Sequence, residues 1–189
     1  MVEIELKSTR ERDIDLFLIE ELCSSLEFCA WFQSRIEITP IGHLRRACHS
    51  VNVFEGKGYG ETDVDLTFDS PDGLVRVLVE NKVDARFTLG QDERYRQRQI
   101  CYEDTDEFSR VLTVLFAPKD YIDGLAGDKA DFDYKVSYEE VVCWLESANY
   151  PKGRLQYKRT ILERAIEKKK STGEPTVVDM IVTEFRQKY

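Results

Sequence analysis

Two carboxylates and a lysine lie in this sequence at spacings that suit phosphodiester chemistry. Glu80 and Lys82 belong to a valine-rich segment, and Asp63 lies in an earlier segment where polar and apolar residues alternate. Both segments are predicted strands, because period-two alternation and β-branched residues are typical of strands. Residues two apart on a strand share one face, so Glu80 and Lys82 should point the same way, about 7 Å apart.

The turn between the two segments decides whether Asp63 joins the other two side chains. Residues 70–73 contain proline and glycine and are predicted to form a four-residue hairpin loop. That loop pairs Asp69 with Leu74, and counting back along the strands places Asp63 opposite Glu80. A slip of one residue would turn the earlier strand over. The predicted register therefore gathers two carboxylates and a lysine on one face.

Facing carboxylates need an explanation, since like charges directly opposite each other on a sheet repel. A divalent cation would remove the repulsion, and Mg²⁺ takes oxygen ligands from one or two carboxylates together with waters and substrate phosphate oxygens. A nearby lysine can orient or help to deprotonate a metal-bound water, and it can offset the charge that develops on a phosphate. The trio of Asp63, Glu80 and Lys82 therefore favours metal-assisted hydrolysis of a phosphodiester.

The next predicted helix adds a polar pair. Gln91 and Tyr95 are four residues apart near its start, so they share one helical face. Asp63, the Glu-Asn-Lys segment at 80–82 and this glutamine-tyrosine pair, in that order, resemble the PD-(D/E)XK nuclease superfamily, whose exonuclease-like and RecB-like branches carry a QxxxY element. Thr62 stands where the nominal proline would be, which is a common departure. More closely, the chain resembles a group of bacterial standalone nucleases suspected of roles in defence against phage.

The resemblance covers most of the chain and implies a Mg²⁺- or Mn²⁺-dependent nuclease with a restriction-endonuclease-like core and nucleic acid, DNA before RNA, as its substrate. It implies that Asp63 and Glu80 hold the metal together with the backbone carbonyl of Asn81, and that Lys82 positions or activates the attacking water. The expected substrate-binding residues are Gln91, Tyr95, Arg94 and Arg98. Cleavage of RNA stays open, as does a module on the same fold that binds nucleic acid or protein without catalysis. A homodimer or an additional effector domain also stays open.

The first predicted helix carries a carboxylate within its apolar stripe. On a helix over residues 13–22, Glu21 falls between Leu18 and Leu22. A carboxylate in such a stripe is costly without a purpose, and in the family that the chain resembles a glutamate of the first core helix often joins the metal site. Glu21 is therefore a further candidate catalytic residue, with Glu20 beside it. The alternative is a glutamate at the edge of the stripe, bonded to a neighbouring backbone or arginine.

Composition limits the classes of protein to which the chain can belong. A length of 189 residues fits one domain, with a core at about 13–148 and C-terminal helices at about 154–189. The proportions of hydrophobic residues (42%) and charged residues (33%) are those of a globular soluble protein. The N-terminus lacks the apolar core of a signal peptide, so a cytoplasmic location without membrane association is expected. Five scattered cysteines fit reduced thiols better than disulfides or a zinc site.

The net charge of −9 disfavours indiscriminate binding of nucleic acid. Basic residues are nevertheless concentrated after Gln91 and in the last third of the chain, where they can contact phosphates while the remaining surface stays acidic. These residues are Arg94, Arg96, Arg98, Lys152, Arg154, Lys158, Arg159, Arg164 and Lys168 to Lys170. For the lysine run at 168–170, a solvated helix face is the preferred interpretation.

The order of predicted elements is that of an α/β domain with a mixed central sheet flanked by helices. Besides the hairpin, the expected elements are helices at about 13–22, 26–35, 91 onward, 138–148 and 154–170, a loop with a short helix at 36–47, a short helix after Pro118, and strands at 50–54, 110–117 and 132–136. A capping box at Ser137 marks one helix start. The last predicted helix reaches Tyr189 without a capping residue, as expected of a chain that continues further.

Overall fold

The computed structural model describes residues 4–52, 60–84, 91–105, 107–125 and 131–173, with only the main chain described for Asn52, Gln91, Asp92 and 171–173. The strands are β1 (Leu44–Asn52), β2 (Glu61–Ser70), β3 (Gly73–Asn81), β4 (Arg110–Ala117) and β5 (Tyr134–Ser137). The helices are α1 (Glu11–Ser24), α2 (Leu26–Arg35), α3 (Gln91–Glu103), α4 (Lys119–Asp123), α5 (Tyr138–Ser147) and α6 (Lys152–Gly173). The protein is therefore an α/β fold, as predicted.

The five strands form one open mixed sheet in the order β1-β2-β3-β4-β5. The pairs β1–β2 and β2–β3 are antiparallel, and the pairs β3–β4 and β4–β5 are parallel. The tight turn between β2 and β3 suits an antiparallel pair, whereas parallel strands need longer crossovers such as the one that contains α3. The most hydrophobic strand, β4, lies between two others and is buried along nearly all its length.

The register of the β2–β3 hairpin agrees with the prediction. Asp69 pairs with Leu74 and Ser70 with Gly73, so the turn itself is the pair Pro71 and Asp72. Gly73 has a φ of +128°, a backbone conformation that a residue with a side chain rarely adopts. The ladder continues back to Val64 and Val79. One step further brings Asp63 and Glu80 to the open end of the hairpin.

Both faces of the sheet are covered. Helices α1, α2, α5 and α6 supply most of the larger core on one face, and α3 and α4 cover a smaller core around Leu78 and Leu115 on the other. The polar face of β2 is partly buried, since Asp65 and Thr67 are removed from solvent whereas Glu61 is exposed. Asp65 is accommodated there by Arg76, whose Nη2 lies 2.5 Å from its carboxylate, and by Arg46 at 3.6 Å.

The short helix predicted within residues 36–47 was wrong. The strand predicted at 50–54 agrees with the structure over residues 50–52, and residues 53–54 lie outside the described part of the chain. No helix forms at 36–47 among the described residues, and β1 begins at Leu44. The segment is drawn against the end of β2, where Asp69 donates its N–H to the His43 carbonyl (2.8 Å). A Cβ on Gly42 would lie 1.7 Å from the Asp69 oxygen, so only glycine permits this approach. The start of β1 therefore depends on contacts with a strand that comes later in the chain.

The helix predictions agree more closely with the structure. The interval 26–35 coincides with α2, whose N-cap Ser25 accepts a hydrogen bond from Phe28 N–H. Ser137 forms the predicted capping box with Glu140 at the start of α5. The predicted last helix falls on residues 174–189, outside the described part of the chain. Among the described helices, none combines the length and apolar character required to cross a membrane.

Candidate active site

Three predicted site residues come together where the β2–β3 hairpin opens. Asp63 Oδ2 accepts a hydrogen bond of 2.8 Å from the backbone N–H of Asn81. Lys82 Nζ lies 2.7 Å from Glu80 Oε1 on the same face of the strand. Glu80 is 2% exposed and Lys82 9% exposed, so both charges are largely removed from solvent. The structure thus brings two carboxylates and a lysine into one small, mostly buried cluster.

The end of β3 is held between two neighbours, and this determines how its backbone groups point. Lys82 N–H donates to the Phe116 carbonyl of β4 (3.0 Å), whereas Asn81 N–H donates to Asp63 of β2. The N–H and C=O of one residue in a strand point to the same side. The Asn81 carbonyl therefore faces the Asp63 side of the strand, where the resemblance implies that it contributes a metal ligand.

Burial and like charge leave Asp63 in an unfavourable environment for a carboxylate. Burial first, and then the charge of Glu80, raise the pKa of Asp63 to about 8, although its bond from Asn81 opposes the change. For Lys82, burial lowers the pKa, but the charge of Glu80 and the hydrogen bond to it outweigh burial, so the pKa is raised. Lys82 is therefore a cation in this arrangement, and its charge, which pairs with Glu80, lowers the pKa of Asp63 less than burial and Glu80 raise it.

Helix α1 sends two further carboxylates to the same strand end, and sequence reasoning missed both. Asn81 Nδ2 donates to Asp15 Oδ1 (2.7 Å) and to the Glu11 carbonyl (2.8 Å). Glu11 Oε1 also accepts from Val83 N–H at 3.1 Å. Burial raises the pKa of Asp15 to about 6, against the opposing effects of Asn81 and His49. The available signal was two acidic residues four apart in the first turns of a helix, which share one face.

Two tyrosines support the main chain of β3 from its two faces. The Tyr138 hydroxyl donates to the Lys82 carbonyl (3.0 Å) and also contacts Asn81 Oδ1. The Tyr95 hydroxyl donates to the Val79 carbonyl at 3.3 Å, and the ring is fully buried. Tyr95 therefore supports the strand that carries the site from within the core, and its predicted contact with substrate stays a prediction. The side chain of Gln91 lies outside the described part of the structure.

Two arginines of α3, Arg94 and Arg98, lie near the start of β2. Arg98 is fully buried, donates to the Glu61 carbonyl (2.9 Å) and contacts Thr62 Oγ1. Its guanidinium carbon lies 4.0 Å from the centroid of the Tyr95 ring. The structure therefore places Arg98 as a brace for the start of β2 rather than on an open surface. Arg94 is half-buried, and its Nε would lie 4.0 Å from a Cβ added at Gly60.

The structure does not bring Glu21 to the cluster. Its side chain is fully buried against α6, where it forms an ion pair with Lys158 and accepts a hydrogen bond of 2.5 Å from the Tyr150 hydroxyl. Glu21 lies six residues after Asp15, roughly 9 Å further along the helix axis. The Glu21 carboxylate therefore links α1 to α6. Its partners are a lysine and a tyrosine, whereas the alternative drawn from the sequence was a backbone group or an arginine.

The oxygen donors of the cluster are those that a divalent cation prefers, but the part of the chain that the structure describes does not supply a complete coordination shell. Within the described residues, no group of three or more histidine, cysteine, aspartate or glutamate side chains has the geometry to hold a metal. Asp63, Glu80 and the Asn81 carbonyl would supply three oxygen donors, and Mg²⁺ commonly completes its shell with waters and substrate phosphate oxygens. A buried carboxylate with a raised pKa and a like charge beside it is the kind of ligand that such a cation would stabilise.

Comparison of the chain with models of protein families, with curated proteins and with solved structures finds no match. The resemblance to the PD-(D/E)XK superfamily therefore rests on the residues of this chain alone.

Proposed function

We propose that this protein is a metal-dependent nuclease that hydrolyses phosphodiester bonds, with DNA as its substrate, on a restriction-endonuclease-like core. The observation that carries the proposal is the convergence of Asp63, Glu80 and Lys82 at the end of the hairpin. Buried like charges are a poor device for stability. Two carboxylates beside a lysine, one of them buried and one partly buried, suit hydrolysis of a phosphodiester with a bound cation.

In this proposal some residues bind the metal and others act on the attacking water and the phosphate. Asp63, Glu80 and the Asn81 carbonyl would hold the cation, which when bound polarises the phosphate and lowers the pKa of a water. Lys82, kept cationic by Glu80, orients the attacking water and offsets charge that develops on the phosphate. Asn81 and Tyr138 fix the strand end, so these groups keep their geometry through the reaction.

The α1 carboxylates extend the acidic cluster toward the other face of the sheet. Asp15 lies close enough to raise the pKa of Asp63 further, although its contribution is smaller than those of burial and Glu80. Its contact with the Asn81 side chain holds that residue from the side opposite Asp63. In this proposal Asp15 is a positioning residue, and its removal should reduce turnover without abolishing it.

A non-catalytic interaction module is the second candidate function. It would retain the fold but would have no use for a buried Asp63 with a raised pKa. Calorimetric titration with Mg²⁺ separates the two functions, because a module without catalysis has no need to bind the ion. Substitution of Glu80 by glutamine keeps the size of the side chain and removes its charge, so it is the matched control for that titration.

The test of the proposal is cleavage of circular and linear DNA by the purified protein, with and without Mn²⁺. Wild type should degrade DNA only with the metal, and loss of the circle would identify endonuclease action. Glu80→Ala and Lys82→Ala should each abolish cleavage while leaving the fold intact by circular dichroism. Asp69→Asn, which lies on the strand of Asp63 but forms a surface pair with Arg45, should cleave like wild type. Equal cleavage by all four proteins would overturn the assignment, and cleavage of RNA alone would move the substrate class to RNA.

A further inference from the structure

A second cavity, distinct from the cluster around Asp63, lies between the N-terminal segment and the C-terminal half of α6. Its volume is about 370 Å³. The lining residues are Lys7, Ser8, Thr9, Arg164, Glu167 and Lys168. Three positive side chains line the cavity against one negative, and Asp84 pairs with Lys168 beside it, so the local formal charge is +1 in a chain whose net charge is −9. The lining is thus a local basic site on an acidic protein, and it favours an anion.

Two features of the cavity fit an anionic ligand better than a solvated helix face. Arg164 pairs with Glu167 at 2.9 Å, but their side chains are 46% and 63% exposed, so the pair contributes little and can exchange partners. Thr9 is 2% exposed, and its Oγ1 is buried with no hydrogen-bond partner in the described part of the chain. A buried hydroxyl is rarely left unpaired. Thr9 lies between this cavity and a neighbouring one, so its side chain must rotate before a phosphate oxygen can accept its proton. At Arg164 a phosphate could replace Glu167 directly.

Both walls of the cavity are attached to the strand end that carries Lys82. Lys168 Nζ lies 3.1 Å from Oδ1 of Asp84, which is two residues after Lys82. The N-terminal wall continues into Glu11, whose carboxylate accepts a hydrogen bond from Val83 N–H. The cavity therefore lies beside the proposed active site, and its position is determined by contacts from two separate parts of the chain.

The α6 end has a further link to the site through α4. Lys169 Nζ lies 4.9 Å from the centroid of the Tyr121 ring. Burial, and then the charge of Glu80, raise the pKa of Tyr121, which shows that this ring is within electrostatic range of the cluster. The lysine run at 168–170 thus includes two residues that contact other elements near the site. Lys168 and Lys169 therefore contact other parts of the protein and do not belong to the purely solvated helix face that the sequence predicted.

We propose that the cavity lined by Lys7, Thr9, Arg164 and Lys168 is a phosphate subsite for the nucleic-acid strand that is cut. Asp84, which pairs with Lys168, lies two residues after Lys82, so the subsite would bind a backbone phosphate near the scissile bond. The inference rests on the proposed function, because nucleic acid is the expected ligand only if the protein is a nuclease. It adds a site by which an acidic protein could hold that substrate.

The test measures binding without cleavage, by fluorescence anisotropy of a labelled single-stranded oligonucleotide in EDTA. The variant is Arg164→Ala/Lys168→Ala, and the matched control is Lys135→Ala/Lys152→Ala, which removes two exposed positive charges elsewhere. The first pair should weaken binding about tenfold and reduce the slope of log affinity against log salt by about 0.7. The control pair should change affinity less than twofold. Equal affinities of the two variants, or no binding by wild type at low salt, would overturn the subsite.

A second arm identifies the phosphate. Single linkages of the oligonucleotide are replaced in turn by uncharged methylphosphonates. In wild type at least one position should weaken binding, and in Arg164→Ala/Lys168→Ala that position should lose its effect, as expected of a coupled pair. Inorganic phosphate is titrated in parallel. Competition by inorganic phosphate without any sensitive linkage would assign the cavity to a free anion and overturn the nucleic-acid subsite.

Thr9→Val separates binding from folding. Valine is close to threonine in size, and it removes a buried hydroxyl that has no partner among the described residues, so the fold should be at least as stable. Affinity for the oligonucleotide should nevertheless fall about three- to tenfold. Unchanged affinity would remove Thr9 from the subsite. Cleavage assays with Mn²⁺ report separately on the proposed function. Binding of the oligonucleotide without cleavage of DNA would refute the nuclease and leave the subsite. Cleavage of DNA with unaltered binding in the variants would support the nuclease and overturn the subsite.

Discussion

Asp63→Asn should make the metal-free protein more stable at neutral pH. The pKa of Asp63 rises from 3.8 to about 8 on folding, so the native state keeps a proton that the unfolded state has lost. Stability therefore falls as pH rises from about 4 to about 8, by up to about 1.4 kcal/mol for each pH unit. At pH 7 the cost reaches roughly 4 kcal/mol. Asparagine cannot ionise, and its Oδ1 can still accept the hydrogen bond from Asn81, so the substitution should recover much of this free energy.

The assay is urea denaturation in EDTA, followed by the fluorescence of Trp31 and Trp144, which pack against the core. The advantage of Asp63→Asn should be a few kcal/mol at pH 7 and should disappear near pH 4. Mg²⁺ at 100 times its Kd should stabilise wild type by about 2.7 kcal/mol and leave the variant unchanged. Asp65→Asn is the matched control on the same strand face, and it should lose stability because Arg76 loses its buried partner. A destabilised Asp63→Asn protein at pH 7, or an advantage independent of pH, would refute the reasoning.

Three further predictions concern the surroundings of the cluster. Mg²⁺ affinity should rise up to tenfold per pH unit below pH 8, because the ion displaces the proton of Asp63. Calorimetry in buffers of different ionisation enthalpy should detect the release of this proton. Binding of Mg²⁺ without proton release would contradict the assignment. Glu21→Gln should lower stability by about 1–3 kcal/mol, because it weakens the buried hydrogen bonds of Glu21 while Lys158 keeps its ion pair with Glu20. Mn²⁺ affinity should stay unchanged, and a lost metal site would return Glu21 to the catalytic group. Tyr138→Phe removes the hydrogen bond to the Lys82 carbonyl, so it should reduce stability by about 1 kcal/mol and lower kcat more than it changes KM. A change confined to KM would indicate that Tyr138 contacts the substrate instead.

The register of the site hairpin could be predicted because local signals determine it. The alternation of β2, the turn residues after Asp69 and the valines of β3 all point to one pairing, and the structure has it. A one-residue error would have separated Asp63 from Glu80. The convergence of Asp63, Glu80 and Lys82 was therefore accessible from a short stretch of sequence.

The rest of the site depends on contacts between distant parts of the chain. Asp15 and Glu11 reach Asn81 across most of the N-terminal half of the sequence, and periodicity does not report such pairings. Glu21 shows the converse, since its place in an apolar stripe correctly marked it as buried but could not identify Lys158 as its partner. Residues 44–49 were missed as a strand because their pairing with β2, and not their own propensity, determines the conformation.

The most direct test of the central claim is the anomalous scattering of Mn²⁺ in crystals of the wild-type protein. The account predicts a peak between the carboxylates of Asp63 and Glu80, within coordinating distance of the Asn81 carbonyl, and no such peak in Glu80→Gln crystals. A manganese ion bound elsewhere, or an empty cluster at concentrations of Mn²⁺ that support cleavage of DNA, would contradict it.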